Sequence, residues 1–398
     1  MKSKHSFIIG AGRLLGLFCA VGFIIGSARA QTVNWRSFGA AANWSADSSW
    51  VGNTGPGVGG NTLIINFDAY NPGASTGGSG AVGNSINYTN DLGLVTLNQL
   101  NFAGLASTGG TRANNITGSG TLLFAGSNAS INASLDGNIN HVRFNINNDI
   151  RLATDLNINV ASENPGYVAL GGANQFISAN TAGLKMITVT GNGNLLLAGA
   201  ATTAIQDGSG QIGITMDGTG TLTLGSATTH NYSGGLNINS GIVVAQSAQG
   251  SGNNVTLGKT GDSAGATLKF STNINLANTH NITVNTGGER VIEVSNNIST
   301  MSSAITLIGD LTLRYTGNAS NRIGFAGTLS GAGNLILDES GGDTSGVGGV
   351  INLGGNNSGF TGNVTVINGN IALNSATLIS HPKNRSMPIR DRIRFARG

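Results

Sequence analysis

Charge is what this chain has least of. Asp, Glu, Lys and Arg make up 9% of its 398 residues, against about 25% in an ordinary soluble domain. A nucleic-acid-binding face needs clustered Lys and Arg. Between residues 31 and 380 the 10 basic residues are scattered and outnumbered by 16 acidic ones, so no nucleic acid is expected as a partner. The formal charge of +3 comes from the two ends. Lys2, Lys4, Arg13 and Arg29 lie in the first 30 residues. Lys383, Arg385, Arg390, Arg392, Arg394 and Arg397 lie in the last 18, with one acid, Asp391.

Cysteine and proline are nearly missing too. The one cysteine, Cys19, lies in the N-terminal apolar run, so no disulfide framework can form in the rest of the chain. It is preceded by Phe18, where a lipoprotein signal requires a small residue. Of five prolines, Pro382 and Pro388 fall near the end, which leaves the middle almost free of residues that break hydrogen-bonded ladders. No convincing helical stripe is visible beyond the first 30 residues. Nor does any apolar run approach the roughly 20 residues of a membrane-spanning helix.

What the chain has instead is glycine, 64 residues of it, roughly twice the usual share of about 7%. Such a composition suits either disorder or many short strands with tight turns. The 39% of apolar residues decide for strands, because they fall in short alternating runs that can bury a core.

Residues 1–30 read as a secretory signal peptide. Lys2, Lys4 and Arg13 form a positive start, Leu14 to Ile25 is a 12-residue apolar stretch, and Ser27-Ala28-Arg29-Ala30 supplies small residues two apart. Cleavage is expected between Ala30 and Gln31. The inner membrane would then be met only transiently.

From Leu63 onward one texture recurs: three to five residues alternating apolar and polar, then Gly, Asn, Ser or Thr. Leu97-Asn98-Gln99-Leu100-Asn101-Phe102 and Leu156-Asn157-Ile158-Asn159-Val160 are examples. A period of two means one face in and one face out. Gly and Asn supply the positive-φ turns between runs.

A pattern Gly-x-Gly-x-Leu-x-apolar occurs at Gly118–Phe124, Gly191-Asn-Gly193-Asn-Leu195-Leu-Leu197, Gly218-Thr-Gly220-Thr-Leu222-Thr-Leu224 and Gly331-Ala-Gly333-Asn-Leu335-Ile-Leu337. Two copies continue in parallel. After Leu224 come Tyr232-Ser-Gly234, Leu236-Asn-Ile238 and Gly241-Ile-Val-Val. After Leu337 come an insertion, Asn357-Ser-Gly359, Val364-Thr-Val366 and Gly369-Asn-Ile371-Ala-Leu373. Each unit is three strands and their turns. One unit cannot bury its apolar face alone, whereas stacked units bury a continuous core. Identical polar residues at equivalent turns can then bond as ladders. The expectation is an all-β solenoid.

These units resemble the autotransporter-associated β-strand repeat, also called the passenger-associated transport repeat. Thr215 to Ala245 and Ala326 to Leu373 match best, and residues 185–225 match in part, so the clear motif covers about a quarter of the chain. The opening Asn34-Trp35, Asn43-Trp44 and Ser49-Trp50 is similar to the start of many secreted proteins with this repeat. The resemblance implies a right-handed parallel β-helix exported to the outer surface of a Gram-negative-type bacterium. Two family features are missing. No terminal membrane β-barrel with amphipathic strands of about ten residues follows, and no sorting segment with an apolar span and basic cluster does. The expected division is residues 1–30 as signal, 31–130 as a Trp-containing cap and first coils, 131–376 as the repeat solenoid, and 377–398 as a basic, non-repetitive tail. The tail reads as unstructured, or as a truncated or frame-shifted end.

Each candidate for chemistry has a structural counterpart. Gly261-Asp262-Ser263-Ala264-Gly265 fits the Gly-x-Ser-x-Gly elbow, but an elbow needs a following helix, and Ala266-Thr267-Leu268-Lys269-Phe270 reads as a strand. Gly73-Ala-Ser75-Thr-Gly77 repeats the pattern, as a Gly- and Ser-rich chain will. His5, His141, His230, His280 and His381 show no metal-ligand spacing. Gly341-Gly342-Asp343 is only a fragment of a calcium-binding nonapeptide. Glu289, Arg290 and Glu293 form the densest charged spot, expected as a solvated strand edge that deters edge pairing. Trp35, Trp44 and Trp50 are all the tryptophans. They suit a cap closing the solenoid end better than a sugar-stacking platform.

The sequence therefore leads to the expectation of a non-enzymatic, extracellular scaffold or adhesin, with no cofactor or metal and with surface glycans or matrix as partners. The alternatives are a carbohydrate-binding or polysaccharide-cleaving β-helix and a passenger fragment without a function of its own. Oligomeric state and binding target are not written in these motifs.

Overall fold

The computed structural model describes residues 30–35, 42–68, 86–104, 112–135, 142–162, 167–171, 175–197, 203–225, 229–246, 254–271, 280–295, 299–316, 322–338, 350–368, 370–373 and 393–395. They form a β-solenoid in which every paired strand runs parallel to its neighbours, apart from a two-residue antiparallel bridge between Trp35 and Trp50. One 3-10 turn, Asp47–Ser49, interrupts the strands, and no α-helix occurs among the described residues. None of their helices could cross a membrane.

Each winding contributes a strand to successive sheets. The first sheet has 13 strands, from Thr32–Asn34 to Gly359–Phe360. The second also has 13, from Ala42–Asn43 to Val364–Asn368. A third face carries six strands between Leu94–Leu97 and Thr229–Asn231. A separate set of five runs from Ser299–Met301 to Ile393–Phe395.

Alternation in the sequence becomes apolar columns in the interior. In the first sheet Val33, Ile65, Leu100, Ile131, Ile158, Val189, Met216, Ile238, Leu257, Val284 and Leu307 lie one above another in register. In the second, Ile116, Ile146, Leu170, Leu197, Leu224, Ala245, Phe270, Val294 and Tyr315 do the same. All of these are buried. Full burial of one such Leu or Ile side chain contributes about 1.5–3 kcal/mol. A one-residue slip would turn a whole strand's apolar set outward, so burial also locks the register.

The outward positions form ladders as well. Asn66 donates to Asn34 at 2.7 Å, Asn101 to Asn66 at 2.8 Å and Asn132 to Asn101 at 2.8 Å, all on the first sheet. On the second sheet Asn115 donates to Asn87 at 2.8 Å and Asn145 to Asn115 at 2.7 Å. Stacked asparagines were expected at turns, where Asn363 donates to Asn334 at 3.1 Å; these two ladders stand on strands. A parallel register repeats every outward position at the strand spacing of about 4.8 Å, which an amide can bridge.

Ile393–Phe395 pairs in parallel with Asn370–Leu373 as the last strand of the five-stranded set.

Candidate functional site

Three of the four glycine motifs occupy equivalent corners. Residues 191–197, 218–224 and 331–337 all turn the chain from the first sheet into the second. Leu195 pairs with Leu222, and Leu197 with Leu224, in adjacent windings. Leu335 and Leu337 are buried on the same sheet farther along, with Leu337 continuing the column of Leu195 and Leu222. Gly218 stacks on Gly191 and Gly220 on Gly193, with Gly241 following over Gly218. Gly331 has φ +100 and Gly333 stacks on Gly309. Gly234 lies against the Ile212 carbonyl, and Gly359 pairs with Ser330. The first copy differs: Thr121–Phe124 belongs to the third face, so the motif marks a kind of corner and not one face. Gly369 and Ala28 lie outside the described residues, with the rest of residues 1–29. Ala30 is exposed, and the Gln31 carbonyl accepts the Ile64 amide at 2.8 Å, so Gln31 touches the first winding.

The charged spot at 289–293 is not a strand edge. Arg290–Val294 lies inside the second sheet, between Ala266–Phe270 and Leu311–Tyr315. Arg290 is buried, at the start of its strand, among backbone carbonyls. Its guanidinium donates to the carbonyls of Asn285 at 3.3 Å and of Lys259, Asp262 and Thr286 at 3.2 Å each, and to that of Ala264. Gly258 leaves room for it, since a Cβ there would collide with the Arg290 side chain. Burial lowers the Arg290 pKa and the nearby Asp262 carboxylate opposes that shift.

Two of the carbonyls around Arg290, those of Asp262 and Ala264, belong to the Gly261–Gly265 segment. Asp262 Oδ1 accepts the Ala264 amide at 3.0 Å, which closes a tight local turn. Strand Ala266–Phe270 follows directly. The segment therefore lacks the helix on which a nucleophile elbow depends.

On the outer side of the same strands the register assembles a row that the sequence alone does not reveal. Lys269, Glu293, Arg314 and Asp338 occupy one position on four successive strands, with alternating charge. Lys269 Nζ lies 2.7 Å from Glu293, Arg314 Nε lies 3.1 Å from Asp338, and Arg314 Nη2 lies 3.0 Å from Glu289. Thr316 donates to Glu293 at 3.2 Å. Burial works against the Arg314 cation, but Asp338 and Glu289 together hold its pKa above the usual value. The only sequence signal for this row is the spacing of its charges, close to one winding. That period becomes visible only once the register is known. No group of three His, Cys, Asp or Glu residues suited to a metal ion occurs among the described residues.

The tryptophans are buried. Trp35 meets Trp50 edge-on at 4.8 Å and Trp44 meets Trp50 at 5.8 Å, while Phe67 and Tyr88 complete the cluster. Trp50 Nε1 donates to the Trp44 carbonyl at 2.9 Å. A sugar-stacking platform needs an open ring face, and at most 3% of any of the three is exposed. Phe67, Phe102 and Phe144 carry the aromatic stack on into the solenoid.

Set against known family models, curated proteins and solved structures, the chain matches none.

Proposed function

We propose that this chain is an exported, cell-surface or extracellular structural protein, a passenger-type β-helical scaffold or adhesin that works without catalysis. The observation that carries this reading is how the polar groups are used. Arg290 holds backbone carbonyls, Asp262 closes its own turn, and the acids of the charged row are paired with Lys269 and Arg314. Groups that could do chemistry join one winding to the next. Together with the unbroken apolar columns this makes a stiff rod, suited to holding a binding surface away from the cell.

The winding is right-handed, as parallel crossover connections almost always are. Residues 1–30 act as a signal peptide cleaved before Gln31, and the repeats belong to the autotransporter-associated type that their glycine motifs resemble. Surface glycans or matrix are the partners. Saturable binding of purified residues 31–376 to a glycan and matrix panel, with the ligand recovered unaltered, supports this reading; release of shortened glycan counts against it. Expression of the whole chain in a Gram-negative host should place a product beginning at Gln31 outside the inner membrane.

A second reading, a polysaccharide-cleaving β-helix, draws on the charged row, because Lys269, Arg314, Glu293 and Asp338 share one outward face. It predicts turnover of an acidic polysaccharide that Glu293→Gln abolishes. Turnover unaffected by that change would sink it.

A further inference from the structure

His230 lies on the last described strand of the six-stranded sheet. Its strand, Thr229–Asn231, pairs with Thr203–Gln206 and, among the described residues, with no other strand. The pairing is irregular between Thr203↔Thr229 and Gln206↔Asn231. Among the described residues the next strand on that face is Ser299–Met301. A three-residue strand held through an irregular ladder is the kind of element that opens first.

The imidazole is fully buried. Nε2 meets the Gly225 carbonyl at 3.2 Å, which assigns the N–H to that nitrogen, and Nδ1 is buried without a partner. The buried side chains of the same and adjoining strands are apolar, Ile205, Ile214, Leu222, Leu224 and Leu236 among them. Residues 203–246 contain only three other titratable side chains, Asp207, Asp217 and Tyr232. Asp207 accepts from Ser233 and from the Ile212 amide, and Asp217 accepts from Asn239. Burial pushes the Tyr232 phenol upward, so it stays neutral. Lys185 on the winding before donates to the Ala182 carbonyl, and Lys259 on the winding after is exposed. Neither ring nitrogen of His230 is paired with a carboxylate.

We propose that protonation of His230 releases strand Thr229–Asn231 and opens the solenoid locally around it. The inference rests on the fold and does not depend on the scaffold reading. A charged ring would bring a second N–H into an apolar interior, where a charge without a partner is costly. Burial already pushes His230 down to about 4, against a weaker upward pull from the Gly225 hydrogen bond. The folded pKa lies below the ordinary value of about 6.5. The opened strand therefore binds more protons between those values. Closure is fully favoured above about pH 6.5 and is lost as pH falls towards 4. The open population should rise about twentyfold from pH 7 to pH 5.

Hydrogen exchange on the whole chain at pH 7 and pH 5, corrected for intrinsic rates, tests this. Peptides covering 203–206 and 229–231 should lose about twentyfold in protection. Peptides covering 121–124 and 311–315 should keep theirs. His230→Gln and His230→Leu should abolish the difference, and the His230 ring should titrate below pH 5 by NMR. Unchanged protection, a uniform loss along the chain, a ring midpoint near 6.5 or variants that retain the acid response would each overturn the proposal. If neither variant folds, the wild-type exchange pattern and ring titration decide alone.

Discussion

Gly220 lies directly over Gly193. In consecutive windings the two residues stack backbone on backbone, and a Cβ added at Gly220 would run into the Gly193 carbonyl oxygen. The contact is with main chain, so neither neighbour can rotate away. Gly220→Ala should cost about 1–3 kcal/mol by overpacking, read from denaturant unfolding. Gly60→Ala, where an added methyl meets nothing within 4 Å, should stay within about 0.5 kcal/mol of the parent. Equal effects at both sites would remove the stacking argument.

The asparagine ladder makes a separate prediction. Asn101 both donates to Asn66 and accepts from Asn132. Asn101→Ala should lose two amide hydrogen bonds, about 1–2 kcal/mol in total by chemical denaturation. Asn34→Ala, at the end of the ladder, should lose about half as much.

Arg290 tests whether the corner depends on a buried cation. Arg290→Met should cost about 3–5 kcal/mol, because it strips several buried carbonyls of their donor. Arg290→Lys should not rescue it, since one ammonium cannot span the acceptors that a planar guanidinium reaches. Full rescue by Lys in a melting experiment would disprove the clamp geometry.

The charged row should behave as a surface network. Coupling between Lys269 and Glu293, measured in a double-mutant cycle with Met and Gln, should be about 0.5–1 kcal/mol and should shrink in 1 M salt. A coupling indifferent to salt would show that the pair is more enclosed than its geometry implies.

The tryptophan cluster predicts an optical signature. With all three rings buried, emission should be blue-shifted and poorly quenched by acrylamide. Trp50→Ala should cost about 3–5 kcal/mol. Saturating sugars should leave the native spectrum unchanged; a sugar-dependent shift would favour a platform over a cap.

The interior is legible in the sequence because alternation is local. Leu195-Leu-Leu197 and Leu222-Thr-Leu224 are inward, outward, inward in sequence and in space. The clustering of Trp35, Trp44 and Trp50 is legible for a similar reason, since three large apolar rings within 16 residues favour a shared burial site. Arg290 is misread from sequence because a charged residue with Glu289 and Glu293 beside it looks solvated until the five carbonyls around it are placed. Their residues lie up to 31 positions away in sequence. The first glycine motif reads like the other three because the pattern encodes a corner and carries no count of the corners before it.

By itself the sequence determined that this chain is made of short parallel-stacking strands with an apolar inside and a polar, glycine-turned outside. Composition and a period of two are properties of neighbours along the chain, and they need no third dimension. Only the tertiary structure decided which residues share a column. The number of residues per winding varies, so a small change in one turn moves every later partner. The row Lys269–Glu293–Arg314–Asp338, the carbonyl cage of Arg290 and the unpartnered nitrogen of His230 all depend on that register.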